Sequence, residues 1–84
     1  MTSPAKLYAK LLANPGATIS FRDFERLLVA FGFNLDRSKG SHRAYVHPGL
    51  SRPLIVQPRG TDAKPYQVRD FLDKVANLGL TLDR

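Results

Sequence analysis

The sequence predicts an α+β fold: a three-stranded antiparallel sheet packed against two helices, with an extra helix at the N-terminus. Three observations predict it. Two segments, one on each side of the middle of the chain, carry apolar residues at helical spacing. The middle itself is broken by Gly and Pro into short runs, the pattern of short strands joined by tight turns. Three such strands have one apolar face to bury, and two amphipathic helices can cover it. The chain's 84 residues have room for one modest core.

Each element has a local reason. Ser3-Pro4 can cap a helix running to about Ala13, with Leu7, Tyr8, Leu11 and Leu12 as its apolar stripe. Asn14-Pro15-Gly16 stops it. Ser20 opens a second helix, and Asp23 three residues on makes a start resembling a capping box. Phe21, Phe24, Leu27, Leu28 and Phe31 fall at helical spacing, and Gly32 ends the run. Phe33 to Lys39 alternates imperfectly and reads as a strand, with Lys39-Gly40 as the hairpin turn. His42 to His47 reads as a second strand, closed by Pro48-Gly49. Leu54 to Gln57 is a third, and the flanking Pro53 and Pro58 make it an edge strand. Arg59 to Lys64 reads as a polar loop. Pro65 suits the first turn of a last helix. Val68, Phe71, Leu72, Val75 and Ala76 follow on one face of that helix, and Gly79 ends it.

Composition narrows the function. The chain has no cysteine, which excludes disulfides, thiolate catalysis and cysteine-bound zinc, and fits a reducing cytoplasm. No apolar run approaches the roughly 20 residues of a membrane span. Lys6 and Lys10 interrupt the first apolar stretch, so it lacks the apolar centre of a signal peptide. The net charge is +6, and a small domain this basic often meets a polyanion. The charge is unevenly placed. Arg37, Lys39, Arg43, Arg52, Arg59, Lys64 and Arg69 face only Asp62 in that stretch. Asp23, Glu25, Asp70, Asp73 and Asp83 lie before or after it. The basic middle reads as one positive face.

Within that face the chemistry narrows to His42 and its surroundings. Histidine titrates near neutrality and is suited to carry protons at cellular pH. RNA brings its own nucleophile, the 2′-hydroxyl. A ribonuclease therefore needs only proton transfer, positioning and stabilised phosphate charge. Arg37, Lys39, Arg43 and Arg59 are candidate phosphate ligands. Gly40 leaves its backbone approachable, and Ser41 offers a donor. Lys64 and Arg69 flank the start of the last helix. Tyr66, between them, can stack on a base or pack on the loop. His42 and His47 do not form a pair. Five positions on a strand put them on opposite faces and, at ~3.3 Å per residue, about 16 Å apart. His47 precedes Pro48 and reads as a strand-end residue that packs or caps locally. There is no His-x-x-x-His, no carboxylate cluster for a metal, and no Gly-x-Ser-x-Gly elbow. Phe21, Phe24, Phe31, Phe33 and Phe71 sit at core spacing, and Tyr45 is ambiguous.

Several of these residues together suggest a family. Gly32-Phe33, then Arg37-Ser38-Lys39-Gly40-Ser41-His42, then Tyr45 and His47-Pro48, resemble the signature of HicA-type mRNA interferase toxins. The spacing onward through Ile55-Val56 to Lys64-Pro65 also matches. The resemblance covers roughly Ser20 to Leu80, and Gly40-Ser41-His42 is its most specific part. It implies a fold like a double-stranded-RNA-binding domain, in the order α-β-β-β-α. It implies metal-independent cleavage of mRNA with no cofactor, growth arrest, and neutralisation by a HicB-type antitoxin. The family's catalytic histidine carries over to His42. Lys64-Pro65-Tyr66-Gln67-Val68-Arg69 looks like a variant found in longer members.

Two departures matter. Many compact members begin near the second helix, so residues 1–18 read as a helical extension of a 19–80 ribonuclease core within one domain, 1–84. That extension can cover the sheet, extend the core or mediate dimerisation. Many members also carry a histidine in the turn after the third strand. Here the turn reads Gln57-Pro58-Arg59-Gly60, which leaves Arg59 as a phosphate clamp instead. The leading reading is an endoribonuclease toxin of a type II toxin–antitoxin pair. The others are an RNA-binding module without catalysis and a protein-interaction domain whose basic face meets an acidic partner. The sequence leaves open whether His42 acts as base or acid, and whether the chain forms a homo-oligomer.

Overall fold

Two serines start the first two helices of the computed structural model, which describes residues 3–82. Ser3 caps α1 (Pro4–Ala13), its hydroxyl accepting from the Lys6 amide at 3.3 Å. Ser20 caps α2 (Phe21–Ala30) through the Asp23 amide at 3.0 Å. The Asp23 carboxylate does not complete a reciprocal capping box. It accepts from Arg26, one turn on, at 3.0 Å, and its charge still suits the N-terminal end of the helix dipole. Met1, where the predicted extension begins, and the flanking acid Asp83 lie outside the described residues.

After α2 the chain turns through Gly32, whose φ of 91° is a left-handed value that a side chain rarely adopts. Phe33 then leads into β1 (Asn34–Lys39), which pairs antiparallel with β2 (His42–Val46). β2 pairs antiparallel with β3 (Leu54–Val56), so the sheet order is β1-β2-β3 and β3 is an edge, as its prolines predict. The imperfect alternation of the first strand has a structural cause. Leu35 pairs with Tyr45 but Arg37 with Ala44, leaving Asp36 as an extra residue in a bulge.

The hairpin turn is one residue later than the sequence suggests. Lys39 and His42 are still paired, so the turn is Gly40-Ser41, and Gly40 supplies the left-handed φ of 59°. A second correction follows β3. Residues 59–64 are not a plain loop. Pro58–Arg59 (β4) and Asp62–Ala63 (β5) form a small hairpin. It is fixed by bonds outside itself: Phe21 N–H donates to Thr61 O at 2.8 Å and Ala63 N–H to Ile19 O at 2.9 Å. Last comes α3 (Pro65–Leu78), with Pro65 in its first turn and Gly79 as the left-handed cap.

α2 and α3 cover one face of the sheet, and the core between them is aromatic. Phe24, Phe33 and Phe71 are fully buried. Phe71 meets Phe24, Phe31 and Phe33 edge-on at centroid distances of 5.8, 5.5 and 6.0 Å. α1 extends this core. Leu7 and Leu11 join the same cluster, and Tyr8 packs edge-on against Phe31 at 4.9 Å. Leu12 and Ala76, placed on apolar stripes by spacing, face solvent instead. Because Leu11 is fully buried, Leu11→Ala is expected to destabilise the whole fold by about 2–5 kcal/mol. The measurement is the midpoint of urea unfolding. A loss under ~0.5 kcal/mol would mean that α1 is a detachable appendage.

Candidate RNA-directed site

The helices leave the other face of the sheet open. Cross-strand partners share a face and neighbours along a strand alternate. Arg37, Lys39, His42, Ala44 and Ile55 therefore lie on the open face, and Arg43 and Tyr45 on the helix face. His42 is the first residue of β2, directly across from Lys39 and next to the Gly40-Ser41 turn. It is exposed, and among the described residues its imidazole has no hydrogen-bond or ion-pair partner. Ser41 is exposed on the turn itself. Arg37 has only a loose contact with Asp36, at 3.6 Å.

His47 is not part of this group. It lies past the end of β2, its ring 4.9 Å from that of Phe33. Its Nδ1 accepts from the Gly49 amide at 2.9 Å. A Cβ on Gly32 would lie 3.4 Å from the His47 ring, an ordinary contact, so it is the left-handed turn rather than the histidine that calls for glycine there. His47 thus packs and caps locally, as its position before Pro48 suggests.

Arg43 is placed differently from the other cations. It points toward α2, where its guanidinium lies 5.6 Å from the Phe21 ring centroid. Its Nη1 donates to Glu25 Oε2 at 2.7 Å, and the Tyr45 hydroxyl donates to the same oxygen at 2.7 Å. Glu25 therefore neutralises Arg43 locally and weakens it as a phosphate ligand, although the Arg43 side chain stays 41% exposed. This tether also settles Tyr45, which is core. Burial, and then the hydrogen bond to the Glu25 carboxylate, push the Tyr45 phenol well above the ordinary tyrosine value of 10.0.

That shift gives an alkaline signature. The unfolded chain loses the Tyr45 proton near pH 10, while the folded chain holds it to higher pH. The contribution to stability is fully present below pH 10 and declines as pH rises through the window above it. Tyr45→Phe is expected to remove this part of the decline. Urea midpoints at pH 8 and pH 11 for both proteins check it, and equal declines would refute the assignment.

The remaining cations form a second group at the same end of the sheet. Arg43 pairs with Val56, so the start of β2 and the end of β3 lie together. The next residue, Gln57, donates its amide to Gln67 Oε1 at 3.0 Å, which holds the first turn of α3 at that end. Arg59, Lys64 and Arg69 line a hollow of about 300 Å³ there, with Pro65 and Tyr66. Among the described residues none of these three cations makes an ion pair. Arg52 is the exception to a single positive face. It sits between β2 and β3, at the opposite end of the sheet.

Glu25 and Gln67 are the polar residues that spacing did not single out. Glu25 reaches across 18 positions to Arg43, a pairing with no local signal. Gln67 is buried, and its only trace in the sequence is a polar residue beside Val68. A hollow of about 510 Å³ is lined by Arg22, Val29 and Tyr45 among others, on the α2 side and away from the open face.

Among the described residues no group of three or more His, Cys, Asp or Glu is placed to hold a metal ion, and no helix is long and apolar enough to cross a membrane. A family model described as HicA toxin of bacterial toxin–antitoxin matches residues 21–78, from the first residue of α2 to the last of α3. No curated protein and no solved structure matches the chain.

Proposed function

This chain belongs to the HicA family of toxins from bacterial toxin–antitoxin systems, and on that premise we propose that it is a metal-independent endoribonuclease that cuts mRNA, with His42 as its proton carrier. The observation that carries the reading is the His42 imidazole itself, exposed and without a partner among the described residues, on the open sheet face opposite Lys39. In this mechanism the substrate's 2′-oxygen attacks the adjacent phosphorus. The bond from phosphorus to the 5′-oxygen breaks, leaving a 2′,3′-cyclic phosphate and a 5′-hydroxyl. His42 takes the proton from the 2′-hydroxyl or delivers one to the departing 5′-oxygen. Lys39 and Arg37 lie on the same face, where cations offset charge that builds on the phosphate. Arg59, Lys64 and Arg69 hold the strand further along.

A toxin of this family implies an antitoxin partner. We assign that partner to the HicB type and the site of action to the cytoplasm, where mRNA is met. The test is purified protein incubated with total RNA, with and without chelator. Fragments ending in 5′-hydroxyls under both conditions support the reading. Fragments lost with chelator overturn metal independence. RNA bound but left intact would make the chain a binding module instead.

A further inference from the structure

The hollow at the start of α3 contains an element that phosphate binding alone does not require. Tyr66 is 59% exposed, an aromatic ring left in water beside three cations that make no ion pair among the described residues. Its position is fixed from beneath. The buried Gln67 accepts from the Gln57 amide at 3.0 Å with Oε1 and donates to the Tyr66 hydroxyl at 3.2 Å with Nε2. The hydroxyl end of the ring is thus tied to the end of β3, while the rest of the ring stays exposed beside Arg59, Lys64 and Arg69.

We propose that this hollow is a subsite for one unpaired nucleotide of an RNA strand, with the base stacked on Tyr66 and the phosphate held by Arg59, Lys64 and Arg69. The inference rests on the reading above that the chain acts on RNA, and it names the form of RNA. A volume of about 300 Å³ is at the lower end of small-ligand pockets. That is room for one base and its phosphate, not for the width of a duplex. Bases inside a duplex have their faces covered by their neighbours, so away from duplex ends an exposed ring finds a stacking partner only on a single strand. None of the residues lining the hollow belongs to the Gly40-Ser41 turn, so the subsite sets which strand is held and where, leaving proton transfer to His42.

The test reads binding without cleavage, using a single-stranded 2′-O-methyl hexanucleotide that has no free nucleophile, and a blunt duplex of the same chemistry. Full-length wild type should prefer the single strand. Tyr66→Ala should weaken single-strand binding about 5- to 150-fold, the range of one lost stacked base. Tyr66→Phe, which keeps the ring, should recover most of that loss. The chain has no tryptophan, so Tyr66→Trp introduces a unique fluorophore. Its emission should be quenched by 5′-AMP but not by inorganic phosphate. Thermal midpoints check that each variant is folded. Wild-type affinity in folded Tyr66→Ala, or preference for the duplex, would overturn the subsite while leaving RNA cleavage by His42 standing. Binding of neither RNA would overturn the broader reading with it.

Discussion

His42→Ala is expected to lower RNA cleavage by roughly 10²- to 10⁴-fold, the usual worth of one general acid or base. Three features of its surroundings make this a clean test. The side chain is exposed and without partners among the described residues, so its removal leaves no buried group unsatisfied. The backbone pairing with Lys39 does not depend on the imidazole. Surface substitutions of this kind change stability by no more than about 0.5 kcal/mol. The cations are untouched, so RNA affinity should stay near that of wild type. Single-turnover cleavage, RNA binding by anisotropy and a thermal melt on the same samples separate these effects. In cells, expression of wild type should arrest growth and expression of His42→Ala should not. Cleavage at the wild-type rate by the variant would remove His42 from the mechanism.

What could be read in the sequence was local. Ser3 and Ser20 cap their own helices, Pro65 and Gly79 bound the last one, and the five phenylalanines lie at core spacing. Such signals act within one or two turns of chain. The Arg59–Lys64 segment failed for the opposite reason. Strands of two residues show no alternation, and their conformation is set by bonds to Ile19 and Phe21 from another part of the chain. The candidate site divides in the same way. Position on the strand was enough to separate His42 from His47. The company of Arg43 was not legible, because Glu25 reaches it only once α2 has packed on the sheet. Residue type alone gave Arg43 and Lys39 equal standing as phosphate ligands, and the fold does not.

Phe71→Ala is expected to be the most destabilising single change in the core. Phe71 is fully buried where α3, α2 and the approach to β1 meet. Truncating such a ring costs about 3–5 kcal/mol, through lost transfer energy and the cavity left behind. Three edge-on aromatic contacts lose their partner as well. Small domains have only about 5–15 kcal/mol in total, and near this size 1 kcal/mol moves the midpoint by about 4–8 °C. Circular dichroism should therefore show the melting midpoint falling by roughly 12–40 °C, with Phe71→Leu, which fills more of the space, in between. A fall of only a few degrees would mean that the core is not organised around this ring. The comparison with His42→Ala is the stronger test. His42, Arg59 and Arg69 are exposed, while the stability of the fold rests on rings that reach no RNA. Phe71→Ala should lose activity in proportion to the unfolded fraction and regain it on cooling. His42→Ala should stay inactive at every temperature at which it is folded.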